Sequence, residues 1–167
     1  MVAQIAVADE RVLFSPDMPP AINALLQQAV AAYEDSERAE QLLWQAQALD
    51  PEQPATYIAL YKFYFYKNRL TEAEDAVRLA LAQAARAGGF SEDWRRLTPA
   101  SANWTVADGP ERAYLYGLKA LAFIRLRQGD NENSSAILTR LEQLDPVDQV
   151  GGSVIRQLVS VMEDSDD

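Results

Sequence analysis

Seven positions return at one fixed interval, and nothing else in the sequence restricts the fold as tightly. Asn23, Leu26, Gln27, Val30, Ala39, Leu43 and Ala46 come back 34 positions later as Tyr57, Leu60, Tyr61, Tyr64, Ala73, Val77 and Ala80. A third copy follows 61 positions further on, one interval plus 27 extra, as Leu118, Leu121, Ala122, Arg125, Ser134, Leu138 and Leu141. Repetition at this length marks a supersecondary unit that cannot bury its apolar faces alone and must stack on its neighbours. Inside each copy the apolar positions fall three or four apart, which is helical spacing, and the seven Gly and eight Pro of the chain sit in clusters. Long helices with short punctuation follow, so an all-α core is expected.

The residue types resemble the tetratricopeptide repeat: a large residue, a Leu and a small residue on a first helix, an aromatic one turn on, then Ala, a large residue, Ala and Pro along a second. Tyr57 to Ala80 is the best copy, and the first and third copies both close on a Leu-Asp-Pro, Leu49-Asp50-Pro51 and Leu144-Asp145-Pro146. The departures are Gln27 and Tyr61 in place of the small residue, Arg125 in place of the aromatic, Ser134 in place of an Ala, and no closing Pro in the second copy. The resemblance implies a right-handed superhelical stack of about three antiparallel helix hairpins, with repeats at 20–53, 54–87 and 115–148. It also implies that the first helices line a concave side. An N-terminal arm is expected over 1–16, with one helical domain over 17–163 in which Ala21 to Tyr33 is the first helix. An insertion is expected at 88–114, a capping helix at 153–163 with one apolar stripe of Val154, Ile155, Leu158, Val159 and Met162, and an acidic tail at 164–167. Trp94 and Trp104 in the insertion read as side chains that fold back onto the core, the alternative being a lid over a binding surface, and Phe63 and Trp44 also read as core.

Composition removes whole classes of chemistry. The 167 residues include no Cys and no His, which excludes disulfides, Cys-based zinc sites, His-containing metal motifs and Cys or His catalysis. The net charge of −10 disfavours nucleic-acid binding through a broad positive field. No apolar run is long enough to span a bilayer and no signal-type start is apparent, so no membrane span and a cytoplasmic location are expected. Gly88-Gly89 and Gly151-Gly152 lack the flanking strand and the Lys-Ser/Thr of a phosphate loop, and no acidic cluster has the spacing of a calcium loop. No catalytic residue, cofactor or metal is assigned.

What remains is a surface for another protein. On the first helix of the second copy, packing uses Tyr57, Leu60, Tyr61 and Tyr64, which leaves Ile58, Lys62 and Phe65 on an adjacent stripe with Tyr66 beside them. The third copy likewise leaves Tyr116, Lys119, Phe123 and Arg127. Residues 54–71 hold three bases and no acid, and residues 112–129 hold four bases and no acid, on an otherwise acidic chain. A basic, aromatic concave groove suits an acidic or carboxylate-bearing peptide segment of a partner protein. The plainer alternative is that these bases only offset acidic second helices such as Asp35 to Glu40 and Glu72 to Asp75. The expected function is therefore a non-enzymatic adaptor or chaperone-like module. The alternatives are a chaperone of the kind that shields type III secretion translocators, and a structural subunit that forms a homodimer through Phe65 and Tyr66.

Overall fold

The structure, a computed structural model, describes residues 18–165. The expected arm at 1–16 and residues 166–167 of the expected tail lie outside the described residues. Every regular element among those described is helical: α1 (Pro20–Ala31), α2 (Ser36–Leu49), α3 (Pro54–Tyr66), α4 (Leu70–Gly88), a short 3-10 turn (Trp94–Arg96), α5 (Pro110–Arg127), α6 (Asn131–Leu144) and α7 (Gly152–Ser165). Contacts gather the chain into two compact units, one up to Gln83 and one from Ala84 onward, and α4 passes from one into the other.

The interval found in the sequence governs where helices start and stop. Pro20 and Pro54 open α1 and α3, and Ser36 and Leu70 open α2 and α4, each pair 34 positions apart. α6 opens 61 positions after α4, and α5 closes 61 positions after α3. Proline at the first helical position loses a donor that would be unpaired anyway and holds φ ready for the helix. Asp35 and Asp130, at matching places ahead of α2 and α6, each accept from a backbone N–H three residues on, Arg38 and Asn133, at 3.2 Å. Asn68 (φ 59°) and Gly129 (φ 82°) match likewise after α3 and α5. Their left-handed backbone lets the N–H of Arg69 reach the Tyr64 carbonyl at 2.8 Å and that of Asp130 reach Arg125 at 2.9 Å.

In the first unit α1 packs on α2, and α2 on α3. Ile22 and Leu26 of α1, Ala39, Leu42, Leu43 and Ala46 of α2, and most of α3 are buried. Fully covered Ala39, Ala46 and Ala73 keep neighbouring backbones close. Asn23 and Gln27, the polar members of the first copy, are exposed. The first helix ends at Ala31, two residues short of the expected Tyr33.

In the second unit α5 and α6 make the most extensive helix contact. The buried Ser134 hydroxyl donates to the Ala122 carbonyl at 2.7 Å, so a polar atom is accommodated where the other copies have Ala39 and Ala73. The irregular stretch is shorter than the expected 88–114. Good helix formers at Ala84 to Ala87 carry α4 on to Gly88, and Gly109-Pro110 starts α5 five residues ahead of Leu115, leaving 89–109 between them. Trp104 is buried, its ring 5.0 Å from Phe90, and its Nε1 donates to the Thr98 carbonyl at 3.0 Å. Phe90 lies 5.2 Å from Tyr114, whose hydroxyl donates to the Glu92 carbonyl at 2.7 Å. Trp94 does not join this cluster; it is half-buried under the Arg95 guanidinium, 4.5 Å from its ring.

α7 packs on α6 and α5, and it differs from the expected cap in two ways. It runs on through Asp164 and Ser165, where a tail was expected. Its apolar residues also divide: Ile155 and Val159 are buried, whereas Val154, Leu158 and Met162 are exposed together with Val161. Each step along a helix turns the side chain by about 100°, so a helix resting along one line on its neighbours covers 155 and 159 and leaves 154, 158 and 162 uncovered.

Candidate functional site

The residues expected to contact a partner lie on α3 in the first unit and α5 in the second. On α3, Ile58 is a correction: it is only 6 % exposed and belongs to the core. The run Ala55 to Tyr61 is buried on all sides, so this helix has no spare apolar stripe in its first two turns. Lys62 and Phe65 are half-buried one and two turns further on, and Tyr66 is 40 % exposed at the helix end. The rings of Phe65 and Tyr66 meet edge to face at 5.9 Å. On α5, Tyr116, Lys119 and Phe123 are half-buried and Arg127 is exposed, all along one line of the helix. The Lys119 Nζ stands 5.8 Å from the Tyr116 ring centre, an aromatic–cation pairing that can present both groups to one ligand.

Several bases counted toward a positive surface have structural partners. Arg69 grips both Glu40 carboxylate oxygens, at 2.8 and 3.2 Å, and also pairs with Glu72. Lys67 sits 4.0 Å above the Tyr33 ring. Arg112 reaches the Gln149 side chain at 2.8 Å and its carbonyl at 3.3 Å. Arg125 donates to Gln128 at 3.2 Å. Arg69 therefore does what the plainer reading of the basic segments anticipates, joining the start of α4 to acidic α2.

Arg69 is part of a network that residue type alone did not disclose. The Trp44 indole donates to the Tyr64 hydroxyl at 2.8 Å, which donates to Glu40 at 2.7 Å. Trp44, expected in the core, is instead exposed with its indole N–H turned inward to that bond. The hydrogen bond from Arg69 holds the Glu40 carboxyl below its ordinary range. Burial, then the hydrogen bond to Glu40, pushes the Tyr64 phenol up to about 12. The sequence signal was present, as an acid at Glu40 and a base at Arg69 in adjoining copies, but their distance along the chain hides the pairing.

The second unit has its own perturbed groups. Burial, reinforced by the charges of Asp93 and Glu92, raises the Tyr114 phenol. Asp148, ahead of α7, accepts from the Ser153 hydroxyl and from its N–H at 3.1 Å; the hydroxyl bond is the main reason its carboxyl is lowered. The buried Asp145 accepts from the N–H groups of Gln149 at 2.9 Å and Val150 at 3.0 Å and so closes the turn between α6 and α7. These carboxylates serve backbone geometry, and among the described residues no three acidic groups assemble as a metal ion would require. No helix among them is long and apolar enough to cross a membrane.

No family model matches the chain, and no solved structure does. A relative is found in Azotobacter chroococcum mcd 1, the "Uncharacterized 19.8 kDa protein in nifW 5'region". It is 31 % identical over 134 residues, which is 73 % of this chain and 70 % of that protein. Identity of that extent along most of both chains shows common descent, and the chain belongs to the same family as this Azotobacter protein.

Proposed function

We propose that the chain is a non-catalytic, cytoplasmic protein-interaction module of the tetratricopeptide-repeat type, an adaptor or chaperone-like protein that holds a peptide segment of a partner. The observation that carries this reading is the basic and aromatic line on α5, Tyr116, Lys119, Phe123 and Arg127, which keeps part of its surface open; Lys62, Phe65 and Tyr66 on α3 are of the same kind. Rings supply apolar contact at small entropic cost and the bases select for acidic or C-terminal carboxylate segments. The hairpin-repeat reading is supported by helix starts that keep the interval of 34 positions. The designation of the Azotobacter relative places it in the nifW 5' region, so the product of nifW is the first partner to test.

The test is a binding titration against an array of acidic peptides and against the nifW product. Changing Lys62, Lys119 and Arg127 together to Glu is expected to weaken capture by at least about tenfold, about 1.4 kcal/mol, with helical circular dichroism retained. Capture that is unchanged in that variant removes the basic line as the binding surface. Wild-type protein that binds none of these probes removes the peptide-binding reading.

A further inference from the structure

Asp108 is followed by Gly109, and no other Asp or Asn in the sequence precedes a glycine. That order matters because a main-chain nitrogen can attack the side-chain carboxyl carbon of the residue before it. A side chain on the attacking residue crowds the approach, whereas glycine has none and turns freely. The pair ends the irregular stretch 89–109, immediately ahead of α5, and Ala107, Asp108 and Gly109 are all exposed. Among the described residues neither the Asp108 carboxylate nor the Gly109 N–H makes a hydrogen bond or ion pair. Gly109 is held through its carbonyl, which accepts from the Ala113 N–H at 3.1 Å.

At other acids and amides the structure restrains the same attack. Asp50 and Asp145 precede prolines, which have no N–H to lose. The amide after Asp148, that of Gln149, donates to Asp145 at 2.9 Å. Asn133 and Asp35 precede serines, but the Ser134 N–H donates to the Asp130 carbonyl at 3.1 Å, and Asp35 Oδ1 accepts from the Arg38 N–H at 3.2 Å. Asp75 lies inside α4, where helical hydrogen bonds fix the backbone. Asp108 combines a small following residue, an exposed setting and an uncommitted carboxylate.

We infer that Asp108-Gly109 is a site of spontaneous, enzyme-repairable isomerisation, at which Asp108 passes through a cyclic imide to a β-linked aspartate. The Gly109 nitrogen bonds to Asp108 Cγ while its proton and the carboxyl hydroxyl leave as water, which closes a five-membered succinimide. Water adding back at Cγ restores Asp108. Water adding at the former main-chain carbonyl breaks the bond from that carbon to nitrogen, so the chain then runs through Cβ and Cγ and the α-carboxylate is free. Mass is unchanged, but the backbone gains one methylene ahead of the bond from Ala113 to Gly109 that starts α5. The free α-carboxylate is the substrate of an isoaspartyl-directed methyltransferase. S-adenosylmethionine supplies the methyl group, methanol leaves as the succinimide re-forms, and hydrolysis returns part of the chain to Asp108. The peptide-binding reading does not enter this inference.

The test ages the full chain for weeks at neutral pH beside a synthetic peptide of residues 104–113, which sets the unhindered rate. β-Linked aspartate is read with an isoaspartyl methyltransferase and radiolabelled S-adenosylmethionine, and the label is placed by peptide mapping. Label is expected to gather at 108–109, at a rate within about tenfold of that in the free peptide. Asp108→Glu, which keeps the charge but must close a larger ring, is expected to abolish that label with circular dichroism unchanged. In Asp108→Asn the same nitrogen expels ammonia, a better leaving group, and the reaction is expected to run at least about tenfold faster. Unlabelled S-adenosylmethionine and the methyltransferase together are expected to return aged protein toward normal Asp108. The inference is overturned by aged protein that carries no label at 108–109 while the peptide does, by the same total label in Asp108→Glu, or by Asp108→Asn reacting no faster than wild type.

Discussion

The seating of α7 on α6 depends on a missing side chain, and that dependence can be measured. A Cβ at Gly152 would stand 2.7 Å from Leu141 Cδ2 and 3.4 Å from its Cγ, against the roughly 3.5–4.0 Å at which carbon atoms rest. Leu141 is buried, so Gly152→Ala must displace its side-chain end against its neighbours, deform the α6 contact or lift the start of α7. Overpacking of this kind costs about 1–3 kcal/mol. The helix preference for Ala over Gly returns about 1 kcal/mol at most, leaving α7 less well held by up to about 2 kcal/mol. Leu141→Ala by itself opens a cavity and costs about 2–5 kcal/mol, but it also removes the atoms that a Cβ at 152 would strike. In that background Gly152→Ala is expected to be neutral or stabilising, a coupling of about 1–3 kcal/mol. Gly151→Ala is the control. Its penalty arises from φ of 77° and is expected to be the same with or without Leu141. Urea denaturation followed by circular dichroism gives the global cost, and hydrogen exchange at the α7 amides gives the local one. Additivity of Gly152→Ala and Leu141→Ala within about 0.5 kcal/mol would refute the close approach of these two residues.

Two further outcomes follow from the first unit and from the repeated caps. Asp35→Ala and Asp130→Ala are each expected to lower the melting temperature, because the two carboxylates accept the same backbone bond at matching places, and Asp130→Ala by at least as much, since Asp130 also accepts from the Asn133 side-chain amide at 2.7 Å; thermal melts that respond to neither would contradict the capping role. Glu40 has a folded-state value below its ordinary 4.5, so its contribution to stability is present above that pH and disappears as the pH falls through the lowered value. Glu40→Gln should be less stable than wild type at neutral pH, by about 1 kcal/mol or less since the Arg69 pair is partly solvated, and the two denaturation curves should converge in acid.

Much of this architecture could be read from spacing. The interval that pairs Leu26 with Leu60 and Ala39 with Ala73 also sets helix starts, 20 against 54 and 36 against 70, although the turn after α1 is one residue longer than the turn after α3. Spacing could not assign depth. On α3 the same periodicity that separates Tyr57 from Ile58 marks one as core and the other as surface, yet both are buried because this helix is covered on more than one side. On α7 the opposite occurs: five apolar residues look like one stripe, and a neighbouring helix on a single line hides two of them. Trp44 shows a third limit, since its placement is decided by a hydrogen bond to Tyr64, a partner 20 residues away that its own neighbours do not reveal. Of the expected partner-facing residues, the α5 set and Lys62, Phe65 and Tyr66 keep at least part of their surface, and Ile58 does not.

The division of the chain at Gln83 has a particular meaning for α4. Its opening stretch, Leu70 to Gln83, is the counterpart of α2 to the last position; the five that follow, Ala84 to Gly88, have no counterpart and belong to the second unit. The boundary thus falls within a continuous helix and not in a loop. Ala84 and Ala85 are buried just past that boundary, so a helix-breaking substitution at Ala84 would remove core packing as well as helical continuity.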